Sequence, residues 1–222
     1  MKKEKVLIFG ASEHAKVIID IFEKEGKFQI LGLVDDNPNL GATFFDYPVL
    51  GTTEHLPQIF EENPSCKVFV AIGDNWVRHK VVEKIKQILS TADFASTIHP
   101  SAQIGKNVII GKGVAVMAGA VINPDSILED FVIINTRASL DHDGLVKSFS
   151  SLAPSVVTGG QVKIGSFTAI GIGATILHGI KIGQHTVIGA GALVLKDCGD
   201  QEVLYGSPAK VIRKRAIGDR YL

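Results

Sequence analysis

The chain has 222 residues, 45% of them hydrophobic, and its 23 Lys and Arg balance 23 Asp and Glu, so the formal charge is zero. This balance excludes a general basic field for nucleic acid or acidic lipid, while the length suffices for one large domain or two small ones. Two cysteines, Cys66 and Cys198, are too few for a disulfide framework, no apolar run approaches the roughly 18 residues of a membrane span, and the opening MKKEKVLIFG lacks a signal peptide's apolar core, so a soluble cytoplasmic chain is expected.

Up to about Thr97 short β-rich runs alternate with amphipathic ones. KVLIFG predicts a buried strand ending at Gly10, and HAKVIIDIFEKEG a helix with Val17, Ile18, Ile21 and Phe22 on its apolar stripe and Gly26 as its stop. FQILGLVDD predicts a second strand, CKVFVAIGD a third, and VRHKVVEKIKQILS a second helix with a stripe of Val77, Val81, Ile85 and Leu89. Such alternation implies an α/β domain over residues 1–97, a small Rossmann-like parallel sheet flanked by helices. GASEHAK follows a strand and opens a helix, where free N–H groups and the helix dipole favour a phosphate. Only Gly10 of the dinucleotide pattern G-x-G-x-x-G is present, which argues against an NAD-type oxidoreductase. Ser12 can contact a ligand or simply cap the helix, and Asp35 and Asp36 can accept from ribose hydroxyls or a base N–H, or merely end a strand.

From Ile98 the period becomes six. Aliphatic residues recur from Ile98 and Ile104 through Ile188 to Val194, broken only by Thr158, and residues 98–199 form 17 hexapeptides without an insertion. Four places after each stands a small or β-branched residue, such as Ala120, Val132, Ala138, Ala174 and Ala192; both positions are expected to face inward. Units this short cannot bury their apolar side alone and must stack, the signature of a β-helix. Three hexapeptides make an 18-residue turn, so the second domain, 98–222, is expected to be an all-β parallel coil of between five and six turns followed by a tail. An all-β sandwich would tolerate loops of varied length and would not hold one frame so long.

Residues 18 apart then lie one above another. His142 takes an outward position, with Gly160 one turn further and His178 two, and the gap at Gly160 is expected to give a substrate room. Asp141 and Asp143 flank His142, and Asp143 is placed to hold the ring as a carboxylate does behind a general base. Asn135 can bond a substrate or cap a corner. His142 and His178, 36 residues apart, resemble in spacing the zinc ligands of the γ-carbonic anhydrases, another hexapeptide family; that resemblance implies a third ligand where the chain has Gly183, so no metal is expected.

The markers GASEHAKV (10–17), VDD (34–36), AIGDNWVRHKV (71–81), NTRASLDHD (135–143) and GSPAKVIR (206–213), in this order with the hexapeptides, resemble the left-handed β-helix sugar acyltransferases that carry a nucleotide-binding domain ahead of the coil. That group includes bacillosamine-type UDP-4-amino-sugar N-acetyltransferases, GDP-perosamine N-acetyltransferases and sialic acid O-acetyltransferases. The resemblance implies a left-handed coil, a homotrimer, and direct attack of a sugar amine on acetyl-CoA with His142 as base, Asp143 as its orienter and the Gly160 N–H as an oxyanion donor. It assigns Ser12, His14, Asp35, Asp36 and Asn135 to the nucleotide sugar, and Ser151, Ile172, Ala190 and Lys210 to acetyl-CoA. Ser151 stands where relatives often have a second His. The expected reaction is N-acetylation of the 4-amino group of a UDP-linked 4-amino-4,6-dideoxy sugar. A GDP-linked sugar, O-acetylation of sialic acid, and a non-catalytic nucleotide-binding coil are the alternatives.

Overall fold

A computed structural model describes residues 3–220. The front half runs β1 (Glu4–Phe9), α1 (Glu13–Glu25), β2 (Phe28–Val34), β3 (Thr43–Phe44), β4 (Tyr47–Gly51), α2 (Leu56–Glu62), β5 (Lys67–Val70) and α3 (Asn75–Ile88). Its sheet has the order β3-β4-β2-β1-β5, parallel throughout except for the β3/β4 hairpin. β1 lies between two parallel neighbours and is covered on both faces, so Val6, Leu7 and Ile8 are all fully buried. Gly26 ends α1 in the left-handed conformation, φ 70°, its N–H donating to Phe22 O.

Both helix stripes differ from expectation. α1 buries Ala15, Ile18, Ile19, Ile21 and Phe22, while Val17 faces solvent. α3 buries Asn75, Arg78, Val82 and Ile85. The polar half of that face is invisible to an apolar-periodicity reading, because Arg78 and Asn75 are buried for their hydrogen bonds.

Beyond the front half come seventeen two-residue strands, from Thr97–Ile98 to Leu193–Val194. They form three parallel sheets in which partners are 18 residues apart, as in Val121↔Ser139, Ile133↔Ser151 and Ile127↔Leu145. This is a parallel β-helix with three hexapeptides to the turn. The inward columns are sealed: Ile122, Leu128, Ile134, Leu140, Val146 and Leu152 are fully buried together with Ala120, Val132, Ala138 and Ala174. A hairpin of Glu202–Tyr205 and Lys210–Lys214 closes the C-terminal end.

One corner of the coil carries an aromatic column. Phe131, Phe149, Phe167 and His185 repeat every 18 residues, each at φ between 53 and 60°. Their rings stack with centroids 4.7, 5.3 and 4.6 Å apart and planes within 10°. Left-handed backbone costs a non-glycine residue roughly 1–2 kcal/mol, which ring burial and stacking offset. α3 lies against this column, with Trp76 and His79 edge-on to it. Arg78 donates to Phe131 O, Ile72 O and Gly73 O, and Asn75 donates to Thr168 O, so the docking of the two halves is directional as well as apolar.

Candidate active site

A groove of about 580 Å³ opens where the front half meets the coil face built on Ile133, Ser151, Ala169 and Val187. His14 and Gly73 enter it from the front half; Asn135, Ser151, Ile172 and Ala190 enter from the coil, and Tyr205 from the closing hairpin. Five residues picked out in the sequence thus share one cavity: His14, Asn135, Ser151, Ile172 and Ala190.

His14 sits in the first turn of α1, and its Nε2 is buried with no hydrogen-bond partner among the described residues. Burial, and then the Arg78 charge, push its pKa down to about 4. The ring is therefore neutral near pH 7, with one nitrogen able to serve a ligand as donor or acceptor. Tyr205 was missed in the sequence; the signal was Gly189, whose bare backbone lets the phenol ring lie against it.

The remaining front-half candidates, Ser12, Asp35 and Asp36, do not line the groove. Ser12 has an extended backbone at the α1 N-cap, but its hydroxyl makes no capping bond. Asp35 accepts from Ala11 N (2.7 Å) and Asn37 N (2.8 Å), fixing the β1–α1 turn to the end of β2. Asp36 accepts from Thr53 N and Oγ1 and pairs with Lys84 Nζ at 2.8 Å. Burial opposes its ionisation, but these bonds outweigh it and lower the Asp36 pKa.

His142 occupies a different corner, between the strands Ser139–Leu140 and Leu145–Val146. Its backbone is pinned through Asp141. Asp141 N donates to Thr158 Oγ1 (3.1 Å), Asp141 O accepts from Ser126 Oγ (3.0 Å), and Asp141 Oδ1 accepts from His142 N (2.8 Å) and Asn123 Nδ2 (2.7 Å). The His142 backbone bond, followed by Asn123, lowers the Asp141 pKa. Thr158, the one polar residue in the aliphatic inward column from Ile98 to Val194, is the sequence signal for this anchoring, and it was read only as a break in the pattern.

Asp143 follows in the left-handed conformation, φ 56°, its N–H donating to Pro124 O. That geometry turns its carboxylate back on the neighbouring ring: Oδ2 lies 2.7 Å from His142 Nδ1. This hydrogen bond is the main cause of a raised His142 pKa. With Nδ1–H donated to Asp143, Nε2 is the free basic nitrogen. The space above it corrects one expectation. A Cβ added to Gly160 would stand 2.5 Å from His142 Nε2, so the missing side chain makes room for the imidazole itself rather than for a substrate. The His178 ring lies beyond, 6.3 Å from that of His142.

If the hydrogen bond sets the basicity, Asp143→Asn should move the acidic limb of the kcat/KM profile to lower pH and reduce kcat about tenfold or more. The sign follows from the raised pKa: losing the carboxylate lets Nε2 stay unprotonated further into acid. An unmoved limb in the pH–rate profile would count against the pairing.

Fold and site together define a class: a left-handed β-helix transferase of the hexapeptide type, preceded by an α/β domain. Residues 5–85 match the PglD N-terminal domain, and residues 161–196 match the bacterial transferase hexapeptide. Perosamine N-acetyltransferase from Caulobacter crescentus, solved as a histidine-to-asparagine variant with CoA and GDP-perosamine, is 37% identical with a TM-score of 0.88, covering 95% of this chain and 97% of that one. The acetyltransferase domain of PglB from Neisseria gonorrhoeae is 31% identical with a TM-score of 0.86, over 95% and 100%. UDP-N-acetylbacillosamine N-acetyltransferase of Bacillus subtilis is 31% identical over 116 residues, 51% of each chain. The chain spans about half the length of the curated relatives it matches. It belongs to the family of hexapeptide sugar N-acetyltransferases with a PglD-type N-terminal domain.

Proposed function

We propose that the chain transfers the acetyl group of acetyl-CoA to the 4-amino group of a nucleotide-linked 4-amino-4,6-dideoxy sugar, in the cytoplasm and as a homotrimer. The observation that carries this reading is the 2.7 Å bond between His142 Nδ1 and Asp143 Oδ2, which leaves Nε2 as base on an exposed corner of the coil. The sugar nitrogen attacks the thioester carbonyl carbon, and Nε2 takes the proton that the nitrogen sheds. The Gly160 N–H donates to the oxyanion, and collapse of the tetrahedral intermediate breaks the C–S bond. The proton on Nε2 then passes to the departing CoA thiolate, so the base is regenerated without a covalent enzyme intermediate.

His14, Asn135, Ser12, Asp35 and Asp36 would position the nucleotide sugar, and Ser151, Ile172, Ala190 and Lys210 the coenzyme. The groove with His14 and Asn135 and the corner with His142 are on different edges of one coil, an arrangement that supports completion of the site between neighbouring copies.

UDP is the first reading of the nucleotide, supported by the Bacillus subtilis relative. GDP is the second, favoured by 37% identity over 95% of the chain with an enzyme solved with GDP-perosamine. Thiol release from acetyl-CoA with UDP- and GDP-linked 4-amino sugars and free sialic acid tests the proposal. Release with one nucleotide sugar supports it and names the nucleotide; release with sialic acid alone overturns it.

A further inference from the structure

The third face of the coil, which begins immediately after the His142 corner, changes character along its length. Its outward column reads Ile109, Ile127, Leu145, Lys163, Lys181, one residue per turn. Lys163 and Lys181 are direct partners in adjacent parallel strands. Strands in a sheet are about 4.7–4.9 Å apart, so two like charges are held side by side at a cost to the fold. Lys147 joins them at the edge of a hollow of about 440 Å³. None of the three is in an ion pair among the described residues, whereas Lys16, Lys24, Lys67, Lys84 and Lys214 all are. The carboxylate on the rim, Asp200, is occupied at Oδ1 by the Gln184 N–H at 2.9 Å, and Asp197 Oδ1 by the Lys181 N–H at 2.8 Å.

We infer that Lys147, Lys163 and Lys181 form an anion shelf that receives the phosphates of the coenzyme. This rests on the acetyltransferase reading above and extends it to three further side chains. The placement fits a ligand with one apolar and one anionic end. Leu145 shares a turn with His142, where the thioester would react, while Lys163 and Lys181 stand one and two turns nearer the C-terminus, level with Ile172 and Ala190 but on another face of the coil. A phosphate-bearing tail climbing from the His142 corner toward the later turns meets the cations in that order. Phosphates are also carried by the nucleotide sugar, so the two sources must be separated by measurement.

The test is calorimetric binding of CoA, dephospho-CoA and the nucleotide sugar to the full chain, comparing the unmodified protein with Lys163→Gln, with Lys163→Gln/Lys181→Gln, and with Lys80→Gln on α3 as the control for loss of a single charge. The double variant should bind CoA about tenfold more weakly, with binding of the nucleotide sugar unchanged and the control like the parent. A smaller loss with dephospho-CoA assigns the shelf to the 3′-phosphate; an equal loss assigns it to the diphosphate; both support it. Unchanged CoA affinity in a variant with the parent's melting temperature overturns the shelf, as does a loss confined to the nucleotide sugar. Failure of the unmodified chain to bind CoA at all would instead overturn the acetyltransferase reading.

Discussion

His142→Ala is expected to lower kcat by about 10² to 10⁴ while shifting the melting temperature by no more than about 2 °C. The split between the two readouts is the point. The His142 ring is half exposed and its side-chain contacts are Asp143 and the surface over Gly160, so its removal leaves no cavity in the core. The corner itself is held by Asp141, Thr158, Ser126 and Asn123, none of which needs the imidazole. A base contributes through proton transfer in the transition state, so the loss should appear in kcat with little change in the KM for acetyl-CoA. Steady-state kinetics beside a thermal melt decide it, and undiminished turnover would leave the non-catalytic coil as the better account.

The second large effect is on stability. Phe149→Ala should destabilise the fold by about 3–5 kcal/mol, read as a drop in the denaturation midpoint. Phe149 is 8% exposed and sandwiched between Phe131 and Phe167, with His79 edge-on at 4.9 Å, so nothing nearby can collapse into the space without breaking the stack. The residue also keeps a left-handed backbone, φ 59°, that Ala adopts no more easily. Against a typical folding free energy of 5–15 kcal/mol this is a large fraction. Because α3 leans on the same column, the loss should loosen the front half from the coil, which limited proteolysis between Leu89 and Thr97 would report. A change below about 1 kcal/mol would show that the stack contributes little to cohesion.

The coil was legible because its rule is strict: an inward residue every sixth position leaves a trace in composition from Ile98 to Val194 that no loop interrupts. The strand–helix alternation of the front half was legible for the same reason, since β1 and α1 bury apolar side chains. What escaped was burial for reasons other than apolarity. Arg78 and Asn75 face inward to meet carbonyls of another element, so α3 reads from sequence as if rotated toward Val77 and Val81. Among the site residues, His142 and Asp143 could be paired from adjacency and the 18-residue turn. Tyr205 could not be placed beside Ile172 and Ala190, because it arrives on a hairpin outside the hexapeptide frame. Thr158 was visible as an irregularity, but its task, holding the Asp141 amide, depends on a neighbour 17 positions away.

The unbroken frame between residues 98 and 199 also limits how such a chain can change in length. Deleting one residue at Lys147 would turn the later inward residues, such as Ile164, Ile170 and Ile182, out toward water and draw Lys163 and Lys181 toward the interior. Adding or removing a whole circuit of eighteen leaves each side chain's direction intact and alters only height. Growth or shrinkage of this molecule is therefore quantised, and the span between the His142 corner and the closing hairpin can be tuned only in steps of one storey.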